Sequence, residues 1–232
     1  PGEDFANRER IAKLLRFATT HDTSGKQSQS LDDYVARAKA REGDSKQERI
    51  YYLLGDNHAT AAASPHLEQL RRKNIEVLLL TDPIDPWVVD HLSEYEGMQL
   101  ADVARDSLSL PEGDGKITQD AINDEHKPLL KKIRRTLKDR VETVNASQRL
   151  IDSPACVVAA ADELSPQLKR MLEASGQKVP VSKPILEINI EHPLVQRLSA
   201  EPDGERFGEL ANIVLDHALL AEGTQLDNPA EY

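Results

Sequence analysis

The residues of this chain that could do chemistry are few and far apart. Asp82 and Asp85 follow an apolar run, Ile75 to Leu80. If that run is a strand of an open parallel sheet, the two acids stand at the edge where such sheets bind ligands. A carboxylate pair there could hold Mg²⁺ in a receiver-type or hydrolase-type site, making this a small αβ enzyme module. The simpler reading takes Thr81 to Asp85 as a turn, with Asp85 capping a helix and Pro86 at its first position. That reading is preferred, because cap residues belong at such a place. Seven histidines (His21, His58, His66, His91, His126, His192 and His217) are scattered, with no HExxH and no close His/Cys cluster. A metal site is therefore not expected. No GxxxxGK[ST] or GxGxxG occurs, and Gly113 and Gly115 sit in an acidic loop rather than after a strand, which argues against a phosphate cradle. Asn145-Ala146-Ser147 fits a glycosylation sequon, which has no meaning in a cytosolic chain.

Surfaces carry more signal than reactive groups. Leu164, Leu168, Met171 and Leu172 fall at i, i+4, i+7 and i+8 on a helix expected from about Ser165 to Ser175, and so form one apolar stripe. Gln167, Lys169, Arg170 and Glu173 form its other face. The stripe is either packed on its own sheet or left open to hold other proteins, a use to which unbranched Met and Leu are suited. Trp87, the only tryptophan, lies on the first turn after Pro86 and is either a core aromatic or a contact residue. Lys127, Lys131, Lys132, Arg134, Arg135 and Lys138 make a basic stripe. Its ordinary meaning is a solvated face, and its second meaning is contact with acids of the protein itself or of a partner. No aromatics interleave it, so nucleic acid binding is not read from it.

Composition narrows the classes. The chain has 232 residues, 39% of them hydrophobic and 30% charged, with net charge −11. That length suits one large or two modest domains, and that polarity is compatible with folding. The negative charge disfavours nucleic acid or an anionic membrane surface as the main partner. Cys156 is the only cysteine, so no intrachain disulfide forms and a cytoplasmic setting is expected. No apolar run approaches membrane-spanning length, and no signal peptide opens the chain. The chain starts without Met, in mid-pattern, and reads as a piece of a longer protein.

The elements that would position these residues follow from period. Asp4 to Thr20 suits an amphipathic helix with Phe5, Ile11, Leu14, Leu15 and Ala18 inward. Ser30 caps a second helix, Leu31 to about Arg41. Ile50 to Leu54 and Ile75 to Leu80 suit buried strands, and Met98 to Val103 a third. Asn57 to Lys73 reads as helical but broken at Ser64-Pro65, and Pro86 to Glu96 as a helix stopped by Gly97. Strand and helix in alternation point to a parallel sheet covered by helices. Ala104 to Lys116 reads as a linker. One long helix is expected from about Ile117 to Val144, kinked at Pro128. Ala155 to Ala161 and Pro184 to Ile190 suit two more strands. In the second of these, Leu186, Ile188 and Ile190 alternate with Glu187 and Asn189. A short helix near Pro193 to Leu198 precedes a longer one, Glu205 to Ala221. Its apolar residues Phe207, Leu210, Ile213, Val214, Leu219 and Leu220 lie on more than one face, as in a helix packed with a partner.

Six stretches carry a resemblance. SPACVV, LSPQLKRML and the ungapped block SKPILEINIEHPLV resemble the C-terminal domain of the heat-shock protein 90 chaperone family, bacterial HtpG type. LDDYVARAK, ERIYYLLGDN and SPHLEQLRRKNIEVLLLTDPID resemble the small αβα part of that family's middle domain. The resemblance implies an α/β domain (an αβα parallel-sheet sandwich, residues 1–105), a linker (106–116) and an α+β dimerisation domain (117–232) ending in a helical bundle. It implies a molecular chaperone that binds unfolded or partly folded client proteins and forms a homodimer. Trp87, Leu164, Leu168, Met171 and Leu172 would be client contacts, and the six apolar residues of the 205–221 helix the dimer interface. In the family, ATP and Mg²⁺ are bound by an N-terminal domain outside these residues, so this chain by itself is expected to hold no cofactor and not to be an ATPase. Only the beginning of the family's last dimer helix matches, at Asp227 to Tyr232, and the acidic tail of vertebrate cytosolic members has no counterpart here.

Overall fold

The computed structural model describes residues 7–42, 47–105, 119–160, 163–164, 168–169, 172, 175–177, 182–224, 226 and 228–230. Within them the chain is mixed α/β, built on two sheets.

The first sheet has five strands in the order β1-β3-β2-β5-β4: β1 Ala18–Thr19, β2 Arg49–Leu54, β3 Val77–Leu80, β4 Glu94–Tyr95 and β5 Met98–Asp102. β2 runs parallel to both β3 and β5, and the outer strands are antiparallel. Both faces are apolar, as a parallel centre requires. Ile50, Leu54, Leu78 and Leu80 pack with Leu31, Tyr34 and Val35 of α2 (Leu31–Lys39) and with Ala12 of α1 (Arg8–Ala12). Tyr51, Leu53, Val77 and Leu79 pack on the opposite side with Ala61 of α3 (His58–Ala63) and Leu70 of α4 (Glu68–Arg72). Ser30 caps α2 in a reciprocal box with Asp33, which satisfies free N–H groups at the helix start. Ser64 breaks the next helix by capping a 3₁₀ turn, Pro65–Leu67, between α3 and α4. The buried Tyr34 hydroxyl ties α2 to the sheet. It donates to the Glu76 carbonyl at 2.8 Å and accepts from the Tyr51 N–H at 2.9 Å and from the Gln47 amide.

Three expected elements are shorter here. The first helix stops at Ala12, Leu14 stands exposed, and Ala18–Thr19 pairs with β3 instead. Pairing wins over helical period because Thr20 both donates to the Val77 carbonyl and accepts the Val77 N–H on its hydroxyl. The helix after Pro86, α5 (Asp85–His91), ends before Glu94. Tyr95 and Met98 instead face each other across a hairpin turn in which Glu96 and Gly97 both have positive φ, 50° and 79°. That is the two-residue turn whose twist suits antiparallel strands. The long helix is two: α6 (Gln119–Glu125) and α7 (Lys127–Thr136), broken at His126 before Pro128. Val144 lies in a strand, although Val141 and Val144 remain in the core.

The second sheet has the order β6-β8-β7: β6 Val144–Ala146, β7 Ala155–Val158 and β8 Ile185–Ile188. β8 is central, parallel to β6 and antiparallel to β7. Leu186 and Ile188 enter an apolar core with Ile133 of α7, Val195 and Leu198 of α8 (Pro193–Ala200), and Phe207, Ala211, Val214, Leu215 and Ala218 of α9 (Glu205–Ala221). Glu187 in β8 and Asn189 just beyond it do not face water. Both are buried, because they meet polar partners rather than solvent.

Those partners form a joint between the two sheet units. Arg149, buried, grips Glu187 through two bonds of 2.9 Å and donates to the carbonyls of Val103 at 2.6 Å and Arg105 at 3.0 Å. Glu68, on α4, accepts the N–H groups of Ile151, Asp152 and Ser153 and the Ser153 hydroxyl. His66 Nε2 lies 3.0 Å from Glu222 Oε1, just past α9. A Cβ on Gly223 (φ +73°) would sit 3.2 Å from Asp56 Oδ2, so glycine permits this close approach.

Candidate functional site

The Asp82–Asp85 pair is occupied by its own turn. Asp85 Oδ2 accepts the Asp82 N–H at 2.8 Å, and Asp82 Oδ1 accepts the Ile84 N–H at 3.1 Å. Asp85 thus sits inside the first turn of α5 and bonds backwards, rather than serving as the cap residue. Burial pushes its carboxyl above the ordinary range, against the pull of the Asp82 and Thr81 N–H groups. Among the described residues, no group of three or more His, Cys, Asp or Glu side chains is placed to hold a metal ion. No described helix is long and apolar enough to cross a membrane. The Cys156 thiol is buried, and burial raises its pKa well above the ordinary value, which keeps it protonated.

The structure does bring together two places that the sequence left separate. A cavity of about 310 Å³ opens between α5 and the segment containing Leu164 and Leu168. Pro86, Val89 and Asp90 of α5 bound one side, and Glu163, Leu164 and Leu168 the other. Tyr52 and Leu54 of β2, Asp102 of β5 and Arg105 complete the lining. On α5 Trp87 is 45% exposed, and Ile84, just before that helix, 56%. Leu164 is 38% exposed. Leu168 and Leu172 have helical backbone and half-buried side chains, and Met171 lies outside the described residues, as does most of the expected 165–175 helix.

The polar end of this groove is ordered. Arg105 donates to the carbonyls of Ala160 at 3.1 Å and Glu163 at 2.6 Å, and its Nε lies 3.6 Å from Asp102 Oδ2. A backbone bond from Ala159 N–H to the Ala104 carbonyl, 3.2 Å, continues the link. Burial pushes the Asp102 carboxyl up, although the Ala104 N–H, Arg105 and His66 all favour its charged form. Sequence reading missed Asp102, Arg105 and Glu163 as site residues. One signal was available. Open parallel sheets bind ligands beyond the carboxyl ends of their strands, and Leu54 and Asp102 end β2 and β5 just as Leu80 ends β3.

The apolar residues of α9 divide. Phe207 and Val214 are fully buried in the core of their own chain. Leu210 and Leu219 are half-buried against that core, while Ile213 and Leu220 are 40% and 44% exposed. The surface that α9 offers is therefore narrower than the sequence implied. The basic stripe on α7 is largely engaged within the chain. Lys132 donates to the Glu201 carbonyl and lies 3.8 Å above the Phe207 ring, Arg134 donates to the Glu142 carbonyl, and Arg135 pairs with Asp203.

Comparison with known proteins gives the lineage. Residues 2–232 match the family described as Hsp90 protein. The chain is 48% identical over 235 residues to the chaperone protein HtpG of Shewanella loihica, covering 100% of this chain and 36% of the relative. It is 48% identical over 234 residues to the HtpG of Bordetella pertussis, with the same coverage. Against the HtpG of Alkalilimnicola ehrlichii it is 48% identical over 233 residues, 99% of this chain and 35% of the relative. The chain thus spans about a third of the length of these curated relatives, and with a family match across nearly its whole length it belongs to the Hsp90 family.

Proposed function

We propose that this chain is the client-holding and self-associating part of a molecular chaperone driven by ATP, whose nucleotide site lies outside these 232 residues and which works in the cytoplasm. The observation that carries the reading is the groove between α5 and Leu164–Leu168, with Trp87 exposed on the same helix. A groove that sets apolar side chains among ordered charged ones can hold exposed segments of other proteins. In this reading residues 1–105 form a middle-domain unit, 106–116, which lie outside the described residues, a linker, and 117–232 a dimerisation domain. Trp87, Leu164, Leu168, Met171 and Leu172 touch clients. Leu210, Ile213, Leu219 and Leu220 supply the free side of a helical dimer contact, and Phe207 and Val214 hold α9 in place beneath it.

Magnitudes fit weak and adaptable binding. Covering four side chains of leucine size is worth at most ~6–12 kcal/mol, and association and ordering costs remove much of that. Two such grooves in one dimer would add avidity without any new contact.

The test is light scattering of a heat-unfolding client protein mixed with the chain, without nucleotide. The chain is expected to suppress aggregation, and a folded Leu164→Ser/Leu168→Ser variant to lose most of that effect. Equal suppression by both proteins, or by neither, would remove the groove from the function.

A further inference from the structure

The chemistry of the groove points to a class of client segment, an inference that rests on the client-holding reading above. Its walls mix apolar side chains (Leu54, Pro86, Val89, Leu164 and Leu168) with charged ones, and among the described residues that charge is one-sided. Asp90, Asp102 and Glu163 line it against a single cation, Arg105. That guanidinium is already committed to the Ala160 and Glu163 carbonyls and to Asp102. Glu163 is met by Lys169 at 3.5 Å. Asp90 is met by no lysine or arginine among the described residues. The His91 ring lies 3.9 Å away, and the Asp90 side chain is largely exposed. Asp102 is the reverse case, a carboxylate almost wholly withdrawn from water at the inner end of the same groove.

We propose that this groove selects extended polypeptide segments in which apolar residues are flanked by lysine or arginine, with Asp90 and Asp102 as the selecting residues. The apolar side chains lie against Val89, Leu164 and Leu168. A basic side chain competes with Arg105, 3.6 Å away, for Asp102 at the inner end, where low dielectric strengthens the pairing, and a second meets Asp90 at the rim. The rim charge guides encounter and is screened by salt, while the inner charge discriminates. An acidic segment would place like charges together and be rejected.

The experiment uses three fluorescein-labelled twelve-residue peptides with the same leucines and phenylalanines, flanked by lysine and arginine, by serine, or by glutamate. Anisotropy gives their affinities for the whole chain at low and moderate salt. The basic peptide is expected to bind at least about tenfold tighter than the neutral one, and the acidic peptide weakest of all. Asp90→Asn should cost the basic peptide roughly two- to fivefold and flatten its salt dependence. Asp102→Asn should cost about tenfold or more. Neither should change the neutral peptide, and Glu209→Gln, on the exposed face of α9, should change nothing. Circular dichroism confirms folding, and Asp90→Asn, at an exposed site, carries the test if Asp102→Asn fails to fold. If all three peptides bind alike and Leu168→Ser weakens them equally, the selection is refuted while the groove keeps its role. If the basic preference survives Asp90→Asn and Asp102→Asn, it comes from the general acidity of the chain and the proposal is overturned. If Leu168→Ser changes no peptide, the client-holding reading itself falls.

Discussion

The two sheets of this chain use their faces in different ways. The five-stranded sheet buries apolar residues on both sides, Ile50, Leu54 and Leu78 on one and Tyr51, Leu53 and Leu79 on the other. The three-stranded sheet does so on one side, through Leu186 and Ile188. On its other side Glu187 is buried against Arg149, beside a small patch of Ile185, Cys156 and Val158. The first sheet is a closed core that holds itself together. The second spends one face on holding a neighbour. A polar joint of this kind is directional and fixes orientation through hydrogen bonds, where apolar contact would permit sliding.

Substitutions in one strand separate the two roles. Glu187→Ala leaves the Arg149 charge buried without its partner and should cost about 3–5 kcal/mol in chemical denaturation. A loss under about 1 kcal/mol would mean that the joint is solvated and the contrast between faces false. The double change Arg149→Met/Glu187→Leu should recover most of that stability while raising amide exchange around Val103 and Arg105. The adjacent change Leu186→Ala opens a cavity in the apolar core, for about 2–5 kcal/mol, without altering exchange at Val103. In the five-stranded sheet, Tyr34→Phe strips the partner from the Tyr51 N–H and should cost about 1–3 kcal/mol.

Acid acts on the joint before it acts on either core. Burial alone would raise the Glu68 carboxyl, but bonds from the Ser153 hydroxyl and the N–H groups of Ile151, Asp152 and Ser153 outweigh it and hold the carboxyl below its ordinary value of 4.5. Its contribution is therefore present above that value and is lost as pH falls through the lower folded one. Amide exchange at residues 151 to 153 should rise in that window, and Glu68→Gln should abolish the pH step. The smallest effect is expected on α9. Ile213→Ser and Leu220→Ser should each change stability by about 0.5 kcal/mol or less yet weaken self-association in sedimentation, the opposite of Phe207→Ala at about 3–5 kcal/mol.

What could be read from the sequence was what local pattern decides. The Ser30 cap, the break at Ser64-Pro65 and the full extent of α9 each depend on residues within a turn or two. What escaped depends on distant partners. Glu187 alternates with apolar neighbours and reads as a wet position until Arg149, 38 residues earlier, is known to face it. Ala18–Thr19 is too short to show a period and exists as a strand only because β3 is there to pair with it. For the groove, the stripe residues Leu164 and Leu168 and the lone Trp87 were visible as candidates, but their neighbourhood was not. Nothing in the spacing between Trp87 and Leu164 indicates that α5 and the later segment share one cavity. Asp102 and Arg105 enter it only because β5 lies beside β2.

One property of the joint has a bearing on how such a molecule changes over generations. Arg149 reaches the carbonyls of Val103 and Arg105, Glu68 receives the amides of Ile151, Asp152 and Ser153, and the Arg149 carbonyl accepts the Gln69 N–H. Each of these grips main chain, which every residue except proline offers in the same form. Mutations at positions 151 or 152 can therefore accumulate without loosening the grip, provided proline stays away from the donor positions. Variation is tolerated on the gripped side and forbidden at a handful of gripping side chains. The two halves can drift in sequence, and so in what they bind, while their mutual placement is inherited unchanged.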